Sequence, residues 1–175
     1  MAVRLSPFSY VILVLVGRGG AGPHDLRRMA EAGRVYWDAA PSQWYAEPKR
    51  LEKLGLLSSR KEPGRTRQRT HYDLTPAGVE ALEGWVRTPT ALPRMQQEAI
   101  VRVLAADLVD HAAILEGLAP LADELATADA EIRHALEVAR SLPERRRLLE
   151  INHRYAARLI ELQREWLQEA RAELA

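Results

Sequence analysis

The chain contains no cysteine and few aromatic residues. It has 175 residues, and aromatic side chains make up 6% of them. The lack of cysteine excludes disulfide bonds, thiolate zinc sites and cysteine nucleophiles. Long hydrophobic runs are also missing, because the longest one, Tyr10 to Val16, is far shorter than the ~20 residues that a membrane-spanning helix needs. We therefore expect a soluble globular protein in the cytoplasm, with no membrane segment.

The formal net charge of +1 hides a difference between the two halves of the chain. Residues 1–88 carry 14 basic and 9 acidic side chains, whereas residues 89–175 carry 11 and 15. The second half is rich in alanine, leucine, glutamate and arginine, and the segment Thr88 to Pro93 has the composition of a linker. We predict two domains, residues 1–88 and residues 89–175.

Two short helices are predicted at the start of the first half. Ser6 followed by Pro7 is typical of a helix start, and the helix that follows should bury Tyr10, Leu13 and Val14. The second should run from His24 to Ala32, and its inward residues are expected to be Leu26, Met29 and Ala30.

The stretch Gly17 to Gly22 lies between these helices. It has neither a preceding strand nor the Gly-Lys-Ser/Thr ending of a phosphate loop. We interpret it as a flexible turn.

A third helix is predicted from about Pro41 to Leu54, with Trp44 and Leu51 facing inward. Its outward side chains suit contacts with phosphates and with base edges in the major groove of DNA. These residues are Ser42, Gln43, Tyr45, Lys49, Arg50 and Lys53. On any such surface the alternative is a solvated helix face.

Pro48 lies inside this predicted helix. There it removes a backbone donor and should cost about 3 kcal/mol or kink the helix. The helix is therefore expected to bend, or to restart near Ala46 and Glu47. Glu47 would accept a hydrogen bond from a cytosine amine or repel phosphate.

A hairpin with a basic tip follows. Leu56 to Arg60 and Thr70 to Leu74 have strand patterns, and the loop between them carries arginine at alternate positions. Arg65, Arg67 and Arg69 would lie along the phosphates or in the minor groove; the alternative is a solvated turn.

A fourth helix should begin at Thr75 and Pro76, with Val79, Leu82 and Val86 on one face. Three helices, a two-stranded wing and a closing helix are the pattern of a winged helix-turn-helix domain. The predicted fold class is mostly α with a small β-hairpin: a winged helix-turn-helix domain followed by an all-helical C-terminal dimerisation domain.

In the second half, apolar residues recur at helical spacing. They are Leu104, Leu108, Leu115, Leu118, Leu125, Ile132, Leu136 and Ala139. Pro120 interrupts this pattern, so we predict two helices that meet near Ala119 instead of one. A last helix should follow Glu144 and place one apolar stripe on a single face. The stripe consists of Leu148, Tyr155, Leu159, Leu162 and Trp166.

Such long apolar stripes need a partner surface. A twofold dimer would supply it and would place two recognition helices roughly 34 Å apart, one DNA turn. The alternative is a monomer in which the stripe packs back on residues 1–88.

Residues 5–88 resemble the PadR family of bacterial transcriptional regulators. Five segments carry the resemblance: Leu5 to Val16 in the first helix, Gly22 to Leu26 at the turn into the second, Pro41 to Tyr45 and Lys49 to Leu57 in the recognition helix and the start of the wing, and Tyr72 to Gly78 after the wing. Pro48 departs from the aliphatic residue that family members commonly have there.

The resemblance implies a dimeric repressor or activator that binds an inverted-repeat operator and often responds to a small aromatic effector. It implies DNA contacts from Ser42, Gln43, Tyr45 and Lys49 and from the wing arginines. Longer members dimerise through C-terminal helices together with the N-terminal helix. The interface predicted on this basis consists of Leu5, Tyr10, Tyr155, Leu159, Leu162 and Trp166. We predict a sequence-specific DNA-binding regulator, with a repressor as the favoured sign.

Trp37, Trp85 and Trp166 are candidates to line an aromatic effector pocket, although such residues are more often core. The five histidines are scattered and match no metal or catalytic pattern. We therefore expect no enzyme activity, cofactor or metal. A second hypothesis remains, a helical interaction module whose winged domain binds a protein and not DNA. Binding to DNA that falls steeply with salt would separate the two.

Overall fold

The computed structural model of the chain describes residues 5–17, 19–30, 37, 39–63 and 68–175. The described residues form two units, one within residues 5–30 and 39–91 and the other within residues 92–175 together with Trp37. In chain order the elements are α1 (Pro7–Val16), α2 (Pro23–Ala30), α3 (Gln43–Lys53), β1 (Leu57–Glu62), β2 (Arg69–Leu74), α4 (Pro76–Val86), α5 (Glu98–Leu104), α6 (His111–Arg140) and α7 (Arg146–Leu174). The predicted fold class, mostly helical with one hairpin, is confirmed. None of the described helices is long and apolar enough to cross a lipid bilayer.

Helix α1 begins where the sequence predicts it. Ser6 is the N-cap, and Pro7 occupies the first turn. The residues that α1 buries are Ser9, Ile12, Leu13 and Val16. Tyr10 is half-buried and packs against the core, whereas Val14 is exposed, so the prediction was wrong for Val14. At 3.6 residues per turn, a face that contains Ser9 and Val16 excludes Val14. The inward position is instead occupied by a polar residue, Ser9.

The core of the first unit joins α1, α2, α3 and the hairpin. Its buried residues are Ile12, Leu13, Val16, Ala21, Leu26, Trp44, Leu51, Leu57 and Tyr72. Trp44 and Leu51 face inward as predicted. In α2 only Leu26 is buried, while Met29, predicted to be inward, is exposed. A helix of two turns offers the core a single central position.

The start of α4 is built around Thr75 and Gly78. The Thr75 hydroxyl accepts a hydrogen bond from the Gly78 N–H at 3.1 Å and donates one to the Gly55 carbonyl at 2.7 Å. Leu82 packs against the core, but Val79 and Val86 are exposed, which corrects the predicted face. The first turn of α4 approaches the end of the hairpin closely, so its core contact lies at Gly78 and Leu82.

The hairpin is confirmed and is longer than predicted. Strands β1 and β2 pair antiparallel, with Leu57 opposite Leu74 and Glu62 opposite Arg69. A third segment joins them, because Ala21 and Tyr72 exchange two backbone hydrogen bonds of 3.0 Å. The end of the glycine-rich stretch before α2 is thus held against β2 at Ala21.

In the second unit, α6 and α7 pack antiparallel. Arg171 donates to the Ala119 carbonyl near one end, and Arg164 pairs with Asp129 further along. Helix α6 is continuous through Pro120, so the predicted break near Ala119 was wrong. Pro120 and Glu116 are both exposed. Water can therefore reach the Glu116 carbonyl that the proline ring leaves without a backbone donor.

The core of this second unit is one stripe from each long helix. Its residues are Ile114, Leu118, Leu125 and Ile132 from α6, and Ala156, Ile160, Leu167 and Leu174 from α7. Leu104 and Leu108 of the predicted stripe are exposed, because the chain leaves helical geometry in the 3-10 turn Ala105–Asp107. On α7, the predicted residues Leu148, Tyr155 and Leu162 are exposed and do not face α6.

Candidate nucleic-acid interface

Helix α3 is held in the first unit by one apolar face. Trp44, Pro48 and Leu51 are buried, and the ring of Phe8 from α1 contacts Trp44 edge-on at 4.9 Å. Because three inward positions are fixed, the opposite face of α3 points to solvent. The predicted contact residues that are exposed are Ser42, Gln43, Tyr45, Lys49 and Lys53.

Pro48 does not interrupt this helix. Helix α3 runs without a break from Gln43 to Lys53, so it does not restart at Ala46 or Glu47. Pro48 is buried and acts as an apolar core residue. This burial offsets part of the cost of the backbone hydrogen bond that the proline cannot donate.

The exposed face of α3 forms a shallow, open groove. It is lined by Ser42, Tyr45, Ala46, Lys49, Arg50 and Lys53. Among the residues that the structure describes, neither Lys49 nor Lys53 pairs with a carboxylate. Two uncompensated ammonium groups beside a phenol and a hydroxyl are suited to phosphate oxygens and base edges.

Arg50 differs from its neighbours, because its guanidinium is already engaged. Its Nε and Nη2 donate to the two carboxylate oxygens of Glu47 at 2.9 and 2.7 Å. The same Nη2 donates to Ser9 Oγ at 3.0 Å, and Ser9 Oγ donates to Glu47 Oε1 at 2.6 Å. Arg50 therefore lies at the edge of the groove with its charge paired.

Each carboxylate oxygen of Glu47 accepts at least one hydrogen bond. Burial alone would raise the pKa of Glu47, but the hydrogen bonds from Arg50 and Ser9 and the charge of Arg50 outweigh burial and lower it. The bond to Glu47 also raises the pKa of Arg50. Since both carboxylate oxygens are occupied, Glu47 is neither an open acceptor for cytosine nor an unpaired negative charge facing phosphate.

Of the three wing arginines predicted to contact DNA, the structure describes Arg69. Arg69 is exposed at the start of β2 and forms no ion pair with another described residue, whereas Arg65 and Arg67 lie outside the described residues. Arg60 pairs with both Glu62 and Asp73. In the described part of the wing, Arg69 is thus the predicted contact residue that is open to a ligand.

The remaining predicted residues fall in both units. Tyr10 stacks on Trp85 with ring centroids 4.6 Å apart and an interplanar angle of 6°. Leu5 is partly buried against the first core. The second unit exposes Tyr155 and Leu162, while Leu159 and Trp166 are half-buried. Trp37 is also half-buried, and the effector pocket of Trp37, Trp85 and Trp166 stays a prediction.

Sequence reasoning missed Ser9 and the pairing of Glu47 with Arg50. Two signals were available. Ser9 shares an inward helical face with Ile12 and Val16, and a polar residue there needs a partner. Glu47 precedes Arg50 by three residues, the spacing of neighbouring side chains on a helix. Within the described ranges, no group of three histidine, aspartate or glutamate residues is placed to hold a metal.

No protein-family model and no curated protein matches this sequence. Solved structures do match it. PadR of Bacillus subtilis in complex with operator DNA is 18% identical over 99% of this chain and 100% of its own, with a TM-score of 0.78. The virulence activator AphA of Vibrio cholerae is 25% identical over 95% and 96% of the two chains, with a TM-score of 0.72.

A PadR-like transcriptional regulator from Bacillus cereus is 18% identical over 94% of this chain and 98% of its own, with a TM-score of 0.69. A second structure of the Bacillus subtilis protein, in complex with p-coumaric acid, is 20% identical over 95% and 98%, with a TM-score of 0.59.

Proposed function

Because this chain has the fold of the PadR-type transcriptional regulators, we propose that it is a sequence-specific DNA-binding regulator that acts as a homodimer in the cytoplasm. The observation that carries the proposal is the exposed face of α3. That face combines the unpaired cations Lys49 and Lys53 with the polar residues that precede them.

Helix α3 would enter the major groove as the recognition helix. Ser42, Gln43 and Tyr45 lie at its amino end, the part that contacts base edges in helix-turn-helix proteins. Lys49 and Lys53 follow one and two turns later and are suited to phosphates. The wing would add Arg65, Arg67 and Arg69.

The homodimer is supported by α7. Four residues along it are more than half exposed and lie at helical spacing: Leu148, Ile151, Tyr155 and Leu162. Leu159 and Trp166 extend the same stripe. We propose this stripe, with Leu5 and Tyr10 of the first unit, as the dimer interface. The two domains of residues 1–88 and 89–175 would then divide DNA binding from dimerisation.

Charge along α7 supports a second copy of this chain as the partner. The first half of the helix is basic on balance and the second half acidic on balance: Arg146, Arg147, Arg154 and Arg158 stand against Glu150 before Leu159, and Glu161, Glu165, Glu169 and Glu173 stand against Arg164 and Arg171 after it. In an antiparallel pairing of two α7 helices, each basic half would lie beside the partner's acidic half. Unlike charges beside an apolar seam favour that register.

A repressor released by a small aromatic effector is our proposal for regulation. Support comes from the p-coumaric acid complex of the Bacillus subtilis protein and from the candidate pocket residues Trp37, Trp85 and Trp166. Equilibrium dialysis against a set of phenolic acids tests it. Binding of one of them that also weakens the DNA complex would support the proposal, and a set without any binder would contradict it.

Fluorescence anisotropy tests DNA binding. The duplex is the DNA just upstream of the chain's own gene, with a shuffled duplex as control, at 50 and 200 mM salt. We expect the native duplex to bind more tightly, with affinity that falls by orders of magnitude between the two salt concentrations. Absence of binding to either duplex at 50 mM salt would contradict the proposal and favour a protein-interaction module.

Charge reversal locates the contact surface. Lys49→Glu and Lys53→Glu should each weaken binding at least tenfold, because each removes a phosphate contact and adds a repulsive charge. Arg87→Glu is the control, since Arg87 is also exposed, directly after α4, and lies outside the groove, although it pairs with Glu83. Equal losses for all three variants would show that net charge alone drives the binding. Reversal of Arg65, Arg67 and Arg69 together should abolish binding without unfolding the chain.

A further inference from the structure

The contact between α1 and α3 contains a buried polar cluster. Ser9 is fully buried, and the side chain of Glu47 is 14% exposed. Ser9 lies 38 residues before Glu47, so the cluster joins two separate helices. The contact of Phe8 with Trp44, which also joins α1 and α3, is apolar. This cluster of Ser9, Glu47 and Arg50 is called the Ser9 network below.

The Ser9 network extends back to the start of α1. Ser9 Oγ lies 2.9 Å from Ser6 Oγ and accepts a hydrogen bond from the Ser6 N–H at 3.0 Å. The N-cap of α1 is thus linked through one hydroxyl to the middle of α3. A surface ion pair would contribute little, but a carboxylate withdrawn from water has to keep its hydrogen bonds to remain charged.

Apolar packing and hydrogen bonds constrain a helix differently. Trp44, Pro48 and Leu51 fix how deeply α3 is seated, but apolar contacts are non-directional. The hydrogen bonds of Ser9 with Glu47 and with Arg50 cross from α1 to α3 and are directional, so they fix the rotation of α3 about its own axis. That rotation decides where Tyr45 and Lys49 point on the opposite face.

We infer that the Ser9 network is a positioning device, which sets the angle at which α3 meets DNA, and that Arg50 acts through Glu47 and Ser9 instead of contacting DNA itself. The inference rests on the proposed function. It changes the role of Arg50, which its charge and helical position alone assign to the DNA surface.

Four variants test the inference, each measured for affinity on the native and the shuffled duplex over a series of salt concentrations. Ser9→Ala removes a hydroxyl that cannot reach DNA. Glu47→Gln keeps the shape of Glu47 and removes its charge, and Arg50→Ala removes the suspected contact. Lys49→Ala is the matched control for a residue that contacts phosphate. All measurements are made well below the unfolding midpoint of each variant, determined in urea.

We expect Ser9→Ala, Glu47→Gln and Arg50→Ala each to lower the preference for the native duplex by about tenfold, the size of one misplaced base contact. The salt slope of these three variants should stay at the wild-type value. The Lys49→Ala slope should fall by about 1, because one phosphate contact is lost. Ser9→Ala combined with Arg50→Ala should lose no more than either change alone, since both break one network.

The outcomes separate the two proposals. A wild-type chain that binds both duplexes equally would overturn the proposed function and the positioning role together. A wild-type preference that Ser9→Ala leaves intact would overturn the positioning role alone. A fall in salt slope for Arg50→Ala, equal to that of Lys49→Ala, would return Arg50 to the set of DNA contacts. Rescue of the preference by Ser9→Thr, which keeps the hydroxyl, would support the network against a simple packing effect.

Discussion

In the first unit, four helices and a hairpin enclose one core, whereas the second unit consists mainly of two long helices that cover each other on one face. Helix α3 of the first unit buries its apolar side chains and exposes polar ones. Helix α7 of the second unit buries one apolar stripe against α6 and exposes another, which includes Tyr155 and Leu162. The first unit therefore gathers much of its apolar surface into one core, although Val14, Val79 and Val86 stay exposed. The second unit exposes an apolar stripe along one helix.

The two stripes of α7 are separated by about 100° around the helix, because Tyr155 and Ala156 are neighbours in sequence. One helix can thus encode two contacts, one within the chain and one outside it. Leftover apolar surface of this kind marks an interaction site. The surface that we propose for DNA differs, because its distinguishing feature is the pair of cations Lys49 and Lys53, which have no carboxylate partner among the described residues.

The largest effect is expected from substitutions in the exposed apolar stripe of α7. Tyr155→Asp combined with Leu162→Asp should convert the dimer into monomer at micromolar concentrations, because two carboxylates would have to be buried in an apolar interface. The unfolding free energy of the monomer should change little, since both positions are exposed. Analytical ultracentrifugation measures the outcome. Leu92→Asp is the control, because Leu92 is also exposed but lies outside the stripe. An intact dimer in the double variant would mean that the interface lies elsewhere.

The first unit should instead be destabilised by a substitution in its core. Leu51→Ala removes a fully buried side chain and should lower the free energy of unfolding by about 2–5 kcal/mol. Urea denaturation followed by circular dichroism measures it. Leu92→Ala is the control and should change stability by less than about 0.5 kcal/mol. A loss at Leu51 of that small size would contradict a closed core in this unit.

Substitutions at two glycines of α4 should have smaller effects on stability. A Cβ at Gly78 would collide with the Leu56 carbonyl and the Leu74 side chain, whereas a Cβ at Gly84 has open space around it. Gly78→Ala should cost about 1–3 kcal/mol, and Gly84→Ala should stabilise the helix by about 0.5–1 kcal/mol. Thermal denaturation of the pair measures the contrast. Equal effects would mean that α4 does not pack closely against the hairpin.

At Gly117, the described glycine of the second unit, no backbone atom approaches as closely as the Leu56 carbonyl does at Gly78. In α6, a Cβ at Gly117 would meet only the end of the Arg102 side chain, which is flexible and can move. Gly117→Ala should therefore behave like Gly84→Ala and stabilise its helix. The same denaturation series tests it, and a cost as large as that at Gly78 would remove this difference between the units.

The smallest expected effect is a difference in acid sensitivity. Burial lowers the pKa of His153 from its ordinary value of 6.5. The stability that neutral His153 confers on the second unit is therefore complete above pH 6.5 and is lost as the pH falls through the lowered pKa. Glu47 also has a lowered pKa, from 4.5, so its stabilisation of the first unit is lost only at more acidic pH.

Urea midpoints at pH 7.5, 6 and 5 measure this difference. His153→Leu should flatten the pH dependence over that range, because no buried base remains at the position. Glu47→Gln should leave it unchanged, since Glu47 stays ionised throughout. A wild-type pH dependence that persists in His153→Leu would assign the effect to another group.

Local signals predicted much of the fold. The helix starts at Ser6-Pro7 and Thr75-Pro76 were readable because capping needs only residues a few positions apart. The hairpin was readable for the same reason, and so was the outward face of α3, which follows from its helical period. These rules act within one element and need no knowledge of its surroundings.

The sequence-based predictions failed or were incomplete where tertiary contacts determine the structure. Pro120 was expected to end a helix, but solvent on one side and α7 on the other let α6 continue. The bridge between Ala21 and Tyr72 was missed because the two residues lie far apart in the chain. The bond of Arg50 to Ser9 was missed because it spans two helices. Each of these depends on tertiary contacts that a local pattern does not contain.

The bridge between Ala21 and Tyr72 also has a consequence for how the chain folds. It closes a loop of about 50 residues, and closure of a long loop costs more conformational entropy than closure of a short one. Helices α6 and α7 meet across a short turn, so their contacts begin between residues close in sequence. Since local contacts form faster than distant ones, the helical pair should assemble first. The α7 stripe that we propose for a second copy would then exist before the wing that we propose for DNA is complete.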